Sequence, residues 1–207
     1  MHPINPGRMV VVVVVIVIAA YLPLSLTGLA APSSAQETGF QLDAKEVLAI
    51  IARPLPDDTE QGFYLPNVDL RGINLTGVDF SSAILAYSDL SGANLLFADL
   101  SGATLQEVNL AGAELSDANL SHAWLYVADL EGATLPYAIL DHANLEDANL
   151  TGADLSGSSL VGANLLGAVL TDASFAWAIM EGVTLPDGYV YAEGDDLVAR
   201  FGTRNNP

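Results

Sequence analysis

Residues 91–110, SGANLLFADLSGATLQEVNL, carry a large apolar residue at every fifth position. The same spacing continues without a gap from Leu65 to Leu185, where all twenty-five positions hold Leu, Phe or Met. The residue two positions earlier is small or slim, most often Ala. A period of five matches neither an α-helix nor a β-strand. The pattern therefore predicts repeat units that bury their apolar residues only by stacking on one another.

A second period sets the size of one coil. Glycine recurs at every twentieth position from Gly72 to Gly152, and His122 and His142 have the same separation. Twenty residues are four units, so we expect a four-sided coil, about six coils in all, and a spacing of about 4.8 Å between residues one coil apart. The residues expected to fill the core include Leu95, Leu115, Leu135, Leu155 and Ala133.

Runs such as Gly92-Ala93-Asn94-Leu95 and Gly152-Ala153-Asp154-Leu155 resemble the pentapeptide-repeat family, whose motif is A(D/N)LXX. The resemblance covers more than half of the chain, from Leu65 to Leu185. It implies an all-β solenoid, a right-handed quadrilateral β-helix with the Leu and Ala side chains filling the bore. Functions in this family are diverse, so the resemblance identifies a scaffold rather than an activity.

Residues 1–35 have the features of an export signal. Arg8 precedes an apolar stretch over residues 9–21, and Ser33-Ser34-Ala35 is a small-x-small cleavage site. The alternative is an uncleaved membrane anchor over residues 9–31, which are long enough to span a bilayer.

Two segments are expected to close the ends of the repeat region, residues 65–185. In residues 36–64, a short capping helix is predicted to begin near Asp43 and to end before Pro54. Residues 186–207 are expected to form a turn, a short strand and a single helical turn, followed by a frayed tail. This second cap is short, so a homodimer would form through the C-terminal end.

The composition restricts the partners. The chain has 25 acidic and six basic residues, a net charge of −19 and no cysteine. Such a surface repels nucleic acids and anionic membranes, and it attracts basic proteins or divalent cations. The same charge also serves to keep a rod soluble and to prevent edge-to-edge pairing. Disulfides, thiolate metal sites and a cysteine nucleophile are excluded.

Exposed aromatic residues are the main candidates for a contact site. Phe97, Tyr137 and Trp177 are separated by two predicted coils each and should share one side, with Ile139 and Ile179 beside them. A second side carries Ile84, Tyr87, Trp124, Tyr126 and Val127. Grouped aromatic residues on a soluble surface indicate protein contact; the alternative is that each ring only covers a neighbouring turn.

His122 and His142 should stack, with Asp141 beside them, and could share Zn²⁺ or Cu²⁺. The simpler interpretation is that these are polar surface residues, and we expect no cofactor. Ser121, His122 and Asp141 are also the residue types of a hydrolase triad. A filled bore leaves no pocket and no oxyanion donors, so we expect no catalysis.

The sequence thus predicts an exported, non-catalytic scaffold that binds an unidentified protein. No nucleic acid is expected to bind, and the membrane is a partner only if the N-terminal segment stays uncleaved. The family resemblance adds the periplasm or the thylakoid lumen as the location. The alternative is an acidic DNA mimic that binds DNA gyrase or another DNA-binding protein, as in the family's quinolone-resistance branch. The export signal argues against gyrase, which is cytoplasmic.

Overall fold

The repeat region consists of single β-bridges connected by tight turns. The structure, a computed structural model, describes residues 63–203, which belong to a compact unit spanning Pro54–Pro207. Parallel bridges join each residue to its counterpart one coil later, from the pair Tyr64 and Ile84 to the pair Asn164 and Thr184. Four such ladders alternate along the chain. This arrangement confirms the four-sided coil of four repeat units that the sequence predicts.

The faces are named here by their ladders. The first face contains Tyr64 and every twentieth residue after it, and the second, third and fourth faces begin in the same way at Asp69, Asn74 and Asp79. Each face is followed by a corner that takes the same number. Backbone bonds connect successive coils on every face, as in the 2.7 Å bond from the N–H of Leu70 to the carbonyl of Asp89.

The core is a column of alternating large and small side chains. All twenty-five central residues from Leu65 to Leu185 are at most 8% exposed. Burial of one Leu side chain contributes about 2 kcal/mol, so this column is the main source of stability. Five core residues with no exposed surface are Leu95, Leu115, Leu135, Leu155 and Ala133.

Each corner is a tight turn whose third residue is left-handed. The N–H of Ala83 donates to the carbonyl of Phe80 over 2.9 Å, and Ser82 within that turn has a φ of 56°. A positive φ at this position is the mark of a type II turn and favours Gly. Every fifth residue from Asn67 to Gly182 has a positive φ, and more than half of these positions hold a residue other than Gly. The turn therefore forms with or without glycine.

The Asn or Asp of the motif has a structural partner. Asp99 Oδ1 accepts the N–H of Ser101 at 2.9 Å, and bonds of this kind recur along all four ladders. The bond satisfies a corner amide that would otherwise need another acceptor. Where Thr134 replaces Asn or Asp, Pro136 stands at the donor position and removes the N–H.

The C-terminal segment folds back over the last coil. Val190 pairs antiparallel with Thr184 on the first face. Helix α1, Leu197–Phe201, has Asp196 as its N-cap and Gly202 as a left-handed C-cap, which confirms the predicted helical turn. The carbonyl of Gly202 accepts the N–H of Asp172 at 2.7 Å. These bonds attach α1 to the edge of the rod.

Arg200 connects α1 to the turn that precedes it. Its guanidinium binds the carboxylate of Asp187 and lies 5.4 Å from the centre of the Tyr189 ring. The N–H of Tyr189 is the largest influence that lowers the pKa of Asp187, and it outweighs the opposing effect of burial. The bond from Arg200 lowers this pKa further.

The expected signal segment, residues 1–35, and the capping helix predicted within residues 36–64 lie outside the described residues, as does the tail beyond residue 203. Over residues 63–203, no helix has the length and apolar character needed to cross a bilayer.

Candidate functional site

The third corner carries large apolar side chains that are open to solvent. Phe97, Tyr137 and Trp177 stand there in alternate coils, with exposed fractions of 61%, 68% and 78%. Ile139 and Ile179 lie on the adjoining fourth face and are also exposed. The structure therefore places five of the ten contact candidates from the sequence on one side of the rod.

The backbone at these aromatic residues is strained. Phe97, Tyr137 and Trp177 have φ values of 60°, 59° and 56°, a conformation that costs an L-residue about 1–2 kcal/mol. The second corner has the same backbone conformation and holds glycine in five successive coils, from Gly72 to Gly152. The turn itself therefore does not select aromatic residues. The exposed rings at these positions are therefore candidates for a contact surface.

Sequence reasoning missed this strain, although a signal for it exists. Eleven repeat glycines share one register, two residues after the central Leu, and the three exposed rings occupy that register too. Aligning the glycine register with the aromatic positions would have shown that the rings replace glycine.

Tyr137 also covers part of its neighbour. A Cβ atom placed on Gly157, the next residue along the third corner, would lie 2.7 Å from Cε1 of Tyr137. Gly157 therefore leaves the space in which the tyrosine ring lies. Both interpretations of this residue apply, because the ring covers the next turn and most of it still faces solvent.

A second group of apolar residues lies on the first face. Trp124 is exposed on its ladder and Tyr126 is exposed at the first corner. Tyr87 packs toward the next coil, where its hydroxyl accepts a bond from Gln106 Nε2 at 3.3 Å. None of the bridged residues of this ladder is acidic: Tyr64, Ile84, Thr104, Trp124, Asn144, Asn164 and Thr184. The other three ladders all carry acids, so the first face is the least anionic.

The family is shown by the repeats themselves. A model for pentapeptide repeats matches eight copies, over residues 64–96, 93–132, 113–152 and 148–185, which together exceed half of the chain. The chain is a pentapeptide-repeat protein. Members of this family are right-handed quadrilateral β-helices and are generally non-catalytic scaffolds.

Several solved pentapeptide-repeat structures are similar to this chain. One is a protein from the thylakoid lumen of Arabidopsis thaliana, with 28% identity, a TM-score of 0.39 and coverage of 59% of this chain and 75% of that chain. Another is Rfr23 from the cyanobacterium Cyanothece 51142, with 26% identity, a TM-score of 0.37 and coverage of 64% and 86%. QnrB1, a plasmid-mediated fluoroquinolone resistance protein, has 19% identity, a TM-score of 0.36 and coverage of 70% and 83%. No curated protein matches the chain.

In this pentapeptide-repeat protein the two histidines stack rather than converge. The ring centres of His122 and His142 are 5.1 Å apart and their planes differ by 19°. Ring nitrogens lie in the plane of each ring, so two nearly parallel planes at this distance do not direct both at one ion held at about 2.0–2.1 Å. Among residues 63–203, no three His, Cys, Asp or Glu side chains are grouped so that they could hold a metal ion.

Asp141, the third member of the suggested metal site, has a structural role. Its Oδ1 accepts the hydroxyl of Ser159 at 2.5 Å and the N–H of Val161 at 3.0 Å. Ser159 stands where most repeats have Asn or Asp, and Asp141 replaces the missing acceptor from the preceding coil. The departure from the A(D/N)LXX motif at Ser159 is visible in the sequence, so the structural role of Asp141 could have been predicted from it.

The suggested triad is not assembled either. Ser121 Oγ donates to Asn119 Oδ1 at 2.8 Å, and the carboxylate of Asp141 is bonded to the next coil. The groups that would act as nucleophile and orienting acid are therefore bound to other partners.

Proposed function

We propose that this pentapeptide-repeat protein is an exported, non-catalytic scaffold that binds another protein through one side of its rod. The observation that supports this most strongly is the exposed aromatic series at left-handed positions of the third corner. Glycine would form the same turn without this backbone strain, as it does at the second corner. Aromatic residues are enriched at protein interfaces because they provide a large contact area with few rotatable bonds.

The export part of the proposal is supported by the sequence of residues 1–35. We place the mature protein in a periplasm or a thylakoid lumen, with cleavage before Gln36. In this proposal the rod has about six right-handed coils, and a helix in residues 36–64 covers its N-terminal end.

The DNA-mimic alternative is favoured by the net charge of −19. It predicts a contact dominated by carboxylates, which salt weakens steeply, whereas a contact made by buried aromatic rings changes little with salt. The two proposals therefore differ in one simple measurement, the salt dependence of partner binding.

Affinity capture from an extract of the source cells tests the proposal. The wild-type rod is compared with a Tyr137→Gly and Trp177→Gly double variant and with a Trp124→Asn and Tyr126→Asn double variant. Glycine suits the backbone of the third corner, so circular dichroism should show an intact fold. We expect one protein to be enriched at both low and high salt and to be lost with one of the two double variants.

The outcomes separate the alternatives. Capture that both double variants retain would contradict binding through the aromatic residues. Capture of gyrase that disappears at high salt would favour the DNA mimic. Amino-terminal sequencing of the native protein tests export, because a chain that still begins at Met1 in the cytosol would refute it.

A further inference from the structure

The aromatic residues of the third corner have a regular spacing along the rod. Phe97, Tyr137 and Trp177 are separated by two coils each, and every coil is bridged to the next as in a β-sheet. At about 4.8 Å per coil, the backbone positions of successive aromatic residues are about 9.6 Å apart. His122 and His142 lie one coil apart on the fourth corner, and the 5.1 Å between their ring centres is close to the expected spacing of one coil.

Among regular peptide conformations, polyproline II fits this spacing. Its three residues per turn advance about 9.3 Å, so residues at every third position would face all three rings. A helix advances about 10.8 Å in two turns and drifts out of register by more than about 2 Å between the first and last rings. A strand alternates sides, so the residue that reaches the middle ring would point away from it.

The side chains along the third corner also alternate between large and small. Between the aromatic residues the corner holds Asp117 and Gly157, which are smaller. Gly157 allows the Tyr137 ring to lie over its backbone, so this ring extends from its own coil toward the coil of Trp177. Polyproline II segments bind to surfaces lined by aromatic rings because their conformation is already ordered before binding.

The fourth-face side of this surface changes from acidic to apolar along the rod. On the fourth-face side, Asp79, Asp99 and Asp117 lie on or beside the N-terminal half, whereas Ile139 and Ile179 occupy the same ladder in the C-terminal half; on the third-face side, Asp154 lies beside the C-terminal half. Residues 65–185 contain one basic residue of the Lys or Arg type, Arg71. It is paired with an aspartate of the second face and therefore does not neutralise these acids. A ligand that complements this surface is cationic where it passes Asp99 and Asp117 and apolar where it passes Ile139 and Ile179.

From this spacing and charge we infer that the third corner binds a cationic polyproline II segment of a partner protein, lying along the rod. Prolines at every third position contact Phe97, Tyr137 and Trp177, and a Lys or Arg between the first two prolines pairs with Asp117. The inference rests on the proposed function and specifies the chemical class of its partner.

Calorimetric titration with synthetic peptides tests the inference. The probe has proline at every third position over ten residues and one Lys in the first interval. One comparison peptide has the same composition with prolines at every fourth position, a second has Glu in place of Lys, and a third is a helix-forming peptide of equal length. The protein variants are Tyr137→Gly with Trp177→Gly, and, as the matched control, His122→Gly with His142→Gly, which removes two rings from left-handed positions of another corner.

We expect the probe to bind at least about tenfold more tightly than the comparison peptides, and the Tyr137→Gly and Trp177→Gly variant to weaken it by about tenfold or more. The histidine control should bind like the wild type. Equal binding of the third-position and fourth-position peptides, or no binding of the probe at about 1 mM, would overturn the inference. If only the helical peptide binds and the aromatic variant abolishes it, the ligand class is wrong while the contact surface stays supported.

Discussion

Replacement of Val127 by glycine tests the left-handed corners directly. Val127 has a φ of 56° and is 41% exposed. Glycine removes strain of about 1–2 kcal/mol at this φ. Against this, glycine adds chain entropy to the unfolded state, about 0.5–1 kcal/mol, and loses the partial burial of the side chain, on the order of 1 kcal/mol. These effects nearly offset one another, so we expect the free energy of unfolding to change by less than about 1 kcal/mol.

The matched control is the same substitution at Val108, which points into the bore and is 1% exposed. Val108 is not among the residues with positive φ, so glycine relieves no strain there. Loss of the buried side chain and the added chain entropy together cost about 3 kcal/mol. The two variants should therefore differ by about 2 kcal/mol or more, or roughly 4–8 °C in Tm for a chain of this size.

Thermal melts followed by circular dichroism, supported by urea titrations, give both values. Equal destabilisation of the two variants would show that Val127 is not strained and would refute the account of the corners. That result would also remove the main support for treating the aromatic residues of the third corner as functional.

Three further predictions concern the bore, the third corner and the C-terminal turn. Ala133→Leu overfills a fully buried position and should lower stability by about 1–3 kcal/mol; an unchanged Tm would place this side chain outside the core. Gly157→Ala should cost about 1 kcal/mol more than Gly132→Ala, because both have positive φ but only Gly157 lies against a tyrosine ring; equal Tm losses would show that the ring moves away freely. The folded-state pKa of Asp187 lies below its ordinary value of 3.8, so its contribution to stability is present above that value and is lost as pH falls through the lowered pKa. Arg200→Gln should reduce this acid-dependent loss in a pH series of melts, and an identical pH profile would contradict the assignment.

The architecture was accessible from the sequence because one period fixes both packing and topology. Leu95 and Ala133 are buried because every unit repeats the same inward pair, and the recurrence of glycine and histidine at every fourth unit indicated the four faces. Such a fold can be predicted without knowing any contact between distant coils, because each coil pairs only with its neighbours.

The details of the surface were less accessible because they depend on how neighbouring coils interact. Asp141 lies next to His142 in sequence, which suggested a metal site, but its carboxylate is bonded to Ser159 and Val161 of the following coil. The strain at Trp177 was missed because the period of the apolar residues shows only which side a residue occupies, whereas the sign of its φ is indicated by the register of the glycines.

Because the coil has four sides, the side of the rod on which a residue lies is determined by the number of repeat units that precede it. Five extra residues inserted between Phe97 and Tyr137 as one more A(D/N)LXX unit would leave every central Leu buried, yet they would move all later residues a quarter turn around the axis. Tyr137 and Trp177 would then lie on a different side from Phe97. Four extra units would instead keep all three aligned and only lengthen the gap by about 4.8 Å. Insertions and deletions of single units can therefore redirect the exposed aromatic residues of such a rod while its interior stays unchanged.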